Sequence, residues 1–157
     1  MENLYYRHRC LHFCTEGTII YDPDRKKMSK NVDHWAIIRI DDEIASYYRY
    51  QFYKKFGIDL LKPSWESHIS VLKGYKDIDK SIPWGWMDGS TVDVHYGHEI
   101  FWNEHHVWIN AYTTFIDEMR KHYGILSARD SGHITIGKFH TKDFGRLAPF
   151  GTYRDLL

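Results

Sequence analysis

The sequence predicts an α+β fold made of two similar halves, and the prediction rests on a repeated order of elements. In the first half a strand-like run, Trp35 to Ile40, leads into a helix that stops at Phe56-Gly57-Ile58, and a linker then reaches His68-Ile69-Ser70-Val71. In the second half Val107 to Tyr112 leads into a helix that stops at Tyr123-Gly124-Ile125, and the linker reaches His133-Ile134-Thr135-Ile136. The glycine and the histidine are 11 residues apart in one half and 9 in the other. A shared order around a shared motif points to internal duplication.

Taken along the chain, Thr18 to Tyr21 is a short apolar run closed by Asp22-Pro23-Asp24, a strand followed by a turn. Arg25 to Asn31 is a basic, polar loop, and His34 to Ile40 has strand composition. Asp41-Asp42-Glu43 supplies the acids that favour a helix N-terminus. That helix runs to about Phe56 and offers Ile44, Tyr47, Tyr48, Gln51 and Phe52 as an apolar face. After the breaker Lys62-Pro63, Ser67 to Gly74 reads as a strand, and Asp77 to Ser90 as a turn-rich loop carrying Trp84 and Trp86. Val92 to Tyr96, Phe101 to Trp102 and His106 to Tyr112 read as three strand segments, and Thr114 to Tyr123 as the second helix.

A chain of 157 residues is expected to fold as one domain, 1–157. Lobe one spans about 15–76, lobe two about 91–139, and a C-terminal tail covers 140–157. Hydrophobic content of 43% with 27% charged residues argues for a packed core rather than disorder. Lys plus Arg balances Asp plus Glu at 21 each, against a long nucleic-acid partner, whose phosphates demand a basic surface. The chain holds no apolar run of 18 residues, so no membrane partner is expected. Cys10 and Cys14 cannot build a disulfide framework and suit a reducing cytoplasm.

The two histidine strands carry the chemistry. Side chains alternate along a strand, so His133 and Thr135 share one face and Ile134 and Ile136 the other, as do His68 and Ser70 against Ile69 and Val71. If the halves pack about a pseudo-two-fold axis, two imidazoles and two hydroxyls converge on a cleft. One neutral imidazole can then take a proton from an attacking oxygen while a protonated one gives a proton to the leaving oxygen. Ser70 and Thr135 can donate to the nonbridging phosphate oxygens. The candidate catalytic residues are therefore His68, Ser70, His133 and Thr135, with no metal and no cofactor. Tyr21, Trp84, Trp86 and Trp102 are candidate base-stacking residues. Arg39, Lys73 and Lys138 are weaker phosphate candidates, because strict alternation points both lysines away from the histidines.

The paired motifs His68-Ile69-Ser70-Val71 and His133-Ile134-Thr135-Ile136 resemble the signature of the 2H phosphoesterase superfamily, two His-x-Thr/Ser motifs each followed by a hydrophobic residue. Within it the chain is similar to the phage anti-CBASS nuclease family over roughly residues 4 to 139. That likeness is carried by Gly17 to Pro23, Asn31 to Ala36, Asp41 to Ile44, Tyr47 to Arg49, Tyr53 to Ile58 and the two motifs. The resemblance implies a bilobal α+β fold, two pseudo-symmetric antiparallel sheet lobes with helices outside and a central cleft. It implies a metal-independent phosphodiesterase that cleaves 3′-5′ linkages in cyclic di- or trinucleotide immune signals, antagonising bacterial antiviral defence in the host cytoplasm. The first motif carries Ser70 where threonine is common, which keeps the hydroxyl and loses a methyl group. Residues 140–157 match nothing in the family pattern.

Two alternatives stand beside this reading: a 2H enzyme acting on RNA ends, as a 2′,3′-cyclic phosphate or a 2′-5′ linkage, and a non-enzymatic module that sequesters nucleotides. Monomer and homodimer are both compatible with the sequence. His8, Cys10, His12 and Cys14 alternate as metal ligands do, but in a strand neighbours in the set lie roughly 6.6 Å apart, too spread for one tetrahedral ion. His95, His98, Glu99, His105 and His106 lack a metalloprotease spacing and read as surface or packing residues.

Overall fold

The computed structural model describes residues 12–24, 33–74, 78–125 and 132–154. The strands are β1 (Phe13–Tyr21), β2 (Ala36–Arg39), β3 (His68–Leu72), β4 (Thr91–Trp102), β5 (His106–Tyr112), β6 (His133–Lys138) and β7 (Gly151–Tyr153). The helices are α1 (Asp42–Phe56), between β2 and β3, and α2 (Thr114–His122), between β5 and β6. The fold is α+β, with every strand pair antiparallel and the strands in the order β3-β2-β1-β4-β5-β6. That order is symmetric about the β1/β4 seam: each half contributes an inner strand, a middle strand, a helix and an outer histidine strand.

One sheet, rather than two, holds the halves together. β1 pairs with β4 from Phe13↔Tyr96 to Thr18↔Thr91, a ladder that begins five residues before the strand expected from Thr18. The segments Val92 to Tyr96 and Phe101 to Trp102 are likewise one strand, β4, whose register on β5 shifts between Tyr96 and Ile100. The irregularity hides the continuity from a simple alternation pattern. The tail adds β7, which pairs with Ile100 to Trp102 on the edge of β4 beyond the end of β1.

The apolar residues of the strands and both helices share one core. Ile19, Ile38, Ile69, Ile109 and Ile134 are completely buried and pack with Tyr48 and Phe52 of α1 and Ile116 and Met119 of α2. α1 is capped by the Asp41 carboxylate, which accepts from Glu43 N, and ends at Gly57 in the left-handed conformation. Its buried stripe is Ala45, Tyr48 and Phe52, narrower than the expected face: Tyr47, one position before Tyr48, is turned about 100° away from it and is 51% exposed.

Each helix reaches across to the other half. Ile37 pairs with Ser70 and Ala36 with Leu72, so Val71 is an extra, bulged residue in β3. Trp108 pairs with Thr135 and Val107 with Gly137, so Ile136 is the corresponding bulge in β6. The carbonyl of Val71 accepts from Arg120 Nε of α2 at 2.9 Å, and that of Ile136 accepts from Arg49 Nη1 of α1 at 2.8 Å. Each bulge carbonyl is thus taken by a guanidinium from the opposite half. Leaving a buried carbonyl unpaired costs about 1–3 kcal/mol. Arg49→Met and Arg120→Met are accordingly expected to lower stability by that amount each in urea unfolding, and losses below about 0.5 kcal/mol would contradict the bracing role.

Candidate active site

His68 opens β3, and the backbone just ahead of it is fixed from two directions. Ser67 N donates to Asp42 Oδ1 at 2.7 Å, and Ser67 O accepts from Ile40 N at 2.8 Å. His68 Nδ1 lies 2.8 Å from the carbonyl of Glu66. A carbonyl only accepts, so Nδ1 carries the proton in the neutral ring and the Nε2 lone pair is the one left to act. Trp35 lies edge-on to the His68 ring, and Trp65 edge-on to Trp35.

His133 opens β6 at a point where only glycine can precede it. A Cβ on Gly132 would lie 2.8 Å from Ala111 O and 3.0 Å from Ile69 Cγ2, so the missing side chain lets the start of β6 approach β3. Gly137 plays the same part at the other end: a Cβ there would lie 2.8 Å from Leu60 Cβ, and its absence admits the Leu61–Lys138 backbone pair. These two close approaches explain both glycines of the stretch Gly132 to Phe139. The Trp108 ring stands 6.3 Å from that of His133.

His68, Ser70, His133 and Thr135 line one cleft of about 440 Å³. Ile69, Val71, Ile134 and Ile136 turn the other way into the core, as alternation requires. The same cleft is lined by Lys73 and Lys138, which corrects the expectation that both point away. The bulges are the reason. An extra residue at Val71 or Ile136 resets the alternation, so Leu72 and Gly137 are buried and the next residue, lysine, comes back to the histidine face. Both copies therefore read His-Ile-Ser/Thr-Val/Ile-x-Lys, and the lysine recurring five residues after each histidine was the signal available in the sequence.

Arg120, only 8% exposed, and His106 complete the polar wall, and among the described residues the lining contains no carboxylate. His106 is exposed, in line with the surface reading of its sequence context, and borders the cleft as well. Lys73, Lys138 and Arg120 thus face the cleft with no carboxylate among its described lining residues, and such a wall attracts an anion.

The four aromatic candidates lie elsewhere. Tyr21 is buried, its hydroxyl 3.2 Å from that of Tyr123, with Trp84 edge-on to its ring. Trp84 Nε1 donates to Asp22 Oδ2, and Trp86, 54% exposed, lies against the His122 ring. Trp102 walls a separate cavity of about 390 Å³ beneath the tail, where its Nε1 donates to Ala148 O. Tyr21, Trp84 and Trp102 are held by packing and hydrogen bonds of their own, and none of the four lines the histidine cleft; the indole that does is that of Trp65, with the Trp35 and Trp108 rings beside the two histidines. Of the N-terminal alternating set, His8 and Cys10 lie outside the described residues, His12 stacks on His98 and Cys14 is an exposed thiol.

No family model, curated protein or solved structure matches the chain.

Burial pushes the His68 imidazole below its ordinary value of 6.5; the Glu66 carbonyl opposes the shift and the Lys73 ammonium adds to it. The folded chain therefore binds this proton less readily than the unfolded chain, and stability falls as pH drops from about 6.5 through the folded midpoint. An NMR titration should place the His68 midpoint below 6.5. Lys73→Met should raise that midpoint, and a value at or above 6.5 in the unsubstituted protein would contradict the assignment.

Proposed function

We propose that the cleft is the active site of a metal-independent phosphodiesterase of the 2H type, within a bilobal fold, acting on 3′-5′ linkages of cyclic di- or trinucleotides. One observation carries the reading. Two copies of a histidine-hydroxyl-lysine set, one from each half, line a single cleft whose described residues include a buried arginine and no carboxylate. The resemblance noted above makes the signals of bacterial antiviral defence the natural substrates.

The geometry favours His68 as the base. It is neutral near pH 7 because its proton affinity is depressed, and its Nδ1–H is engaged by Glu66 O. Nε2 takes the proton of a ribose 2′-hydroxyl as the 2′-oxygen bonds to the adjacent phosphorus. The P–O5′ bond breaks, and His133 gives its proton to the departing 5′-oxygen. The products are a 2′,3′-cyclic phosphate and a free 5′-hydroxyl. Ser70 and Thr135 donate to the nonbridging oxygens, and Lys73, Lys138 and Arg120 offset the charge that builds on them.

A turnover assay on a panel of cyclic dinucleotides, with chelator present, tests the proposal. His68→Ala and His133→Ala should each reduce the rate at least about a hundredfold. A substrate lacking the 2′-hydroxyl beside the scissile phosphate should bind and stay intact. Lys73→Met and Lys138→Met should each lower kcat/KM about tenfold, the scale of one charge-assisted hydrogen bond. Intact ligand after long incubation would instead support a sequestering module, and cleavage confined to RNA-type ends would shift the substrate class.

A further inference from the structure

A second hollow of about 450 Å³ adjoins the cleft and shares Ser64, Trp65 and His68 with it. We propose that this hollow seats a nucleobase of the ligand whose phosphate lies between the two histidines. The inference rests on the phosphodiester reading for where the phosphate sits, and it adds a side and a chemistry for the base.

The chemical contrast between the two spaces is the main argument. The cleft wall carries cations and, among the described residues, no carboxylate, whereas the hollow carries Asp24 and Glu66 together with Arg39. Carboxylates repel a phosphate and accept from N–H groups, so the ligand portion that fits the hollow is uncharged and bears donors. Its lining is otherwise largely apolar. Ile20 and Ile37 are direct cross-strand partners, and the indoles of Trp35 and Trp65 stand at right angles to each other beside them. Apolar and aromatic walls with a few polar groups are what a base requires.

Register explains why the hollow lies on the His68 side. Ile37 is opposite Ser70 in its ladder, and Trp108 is opposite Thr135 in the other. Where the first half has an isoleucine, the second therefore has an indole, which stacks on Phe101 at 6.1 Å. The cross-strand pair Ile20 and Ile37 thus stands where the other half has Phe101 and Trp108, and the smaller pair leaves the space. Arg39, the ladder partner of His68, borders it; its guanidinium is 3.9 Å from Glu66.

The test uses Ile37→Trp, which copies the other half, and Ile20→Trp, whose side chain faces the same hollow from β1. Calorimetry measures the Kd of 2′-deoxy cyclic di-GMP and cyclic di-AMP, which lack the attacking hydroxyl, and of inorganic phosphate as a base-free probe. Both variants should weaken the cyclic dinucleotides at least tenfold and leave phosphate binding within twofold. Ile37 is buried, so circular dichroism must show each variant folded; the half-buried Ile20 gives a reading if Ile37→Trp does not fold. Folded variants that bind the dinucleotides as the unsubstituted chain does would overturn the proposal, as would failure of the unsubstituted chain to bind either one. Turnover of the ribose forms by the unsubstituted chain is scored separately: tight binding without cleavage would remove the hydrolase reading and leave the base site standing.

Discussion

The reciprocal contacts from Arg49 to the Ile136 carbonyl and from Arg120 to the Val71 carbonyl are the constraint on which the rest of the site depends. β3 and β6 are the outer strands of the sheet path, and their edges approach each other without forming a ladder. Direct pairing would close the sheet and leave no room between the histidines. Complete separation would expose unpaired backbone groups, which are costly when buried and prone to pair wrongly when exposed. The arginines supply a third arrangement: each satisfies the carbonyl freed by a bulge and ties that strand to the helix of the other half. The cleft is the space that this arrangement keeps open.

The bulges also link stability to chemistry. A regular strand would put His68, Ser70 and Leu72 on one face and send Lys73 to the other. The extra residue at Val71 buries Leu72 and returns Lys73 to the histidine side, and Ile136 does the same for Gly137 and Lys138. One backbone irregularity per half thus sets the position of a cation and creates the acceptor by which the halves are braced. Lys73 then acts on His68 over distance, helping burial to keep the imidazole neutral. Lys73 and His68 are in this sense one unit, because the ammonium that the bulge returns to the cleft also lowers the proton affinity of the ring.

The pseudo-symmetry is close in backbone and loose in side chains. Ladder positions correspond between β2/β3 and β5/β6, yet Ile37 stands where the other half has Trp108, and Arg39 where it has Asn110. The two halves supply equivalent histidine strands, and divergence around them makes the two sides of the cleft different. A cleft with unequal sides can hold an asymmetric reaction, in which one imidazole accepts a proton and the other donates one.

The sequence alone determined what local physics controls: the α+β class, the two helices and their glycine stops, β5 from His106 to Tyr112, and the faces of both histidine strands. Periodicity and capping act over a few residues, so single-chain patterns suffice for them. The recurrence of His-Ile-Ser-Val as His-Ile-Thr-Ile also indicated which strands to bring together. Only the tertiary structure decided that β1 and β4 join the halves in one sheet, that the lysines return to the cleft, and that Trp65 rather than Tyr21, Trp84, Trp86 or Trp102 lines it. Those outcomes depend on partners distant in the chain. A bulge is defined by the strand across the ladder, and an indole faces the core or a cleft according to what packs on its other side, as with Trp102 beneath the tail.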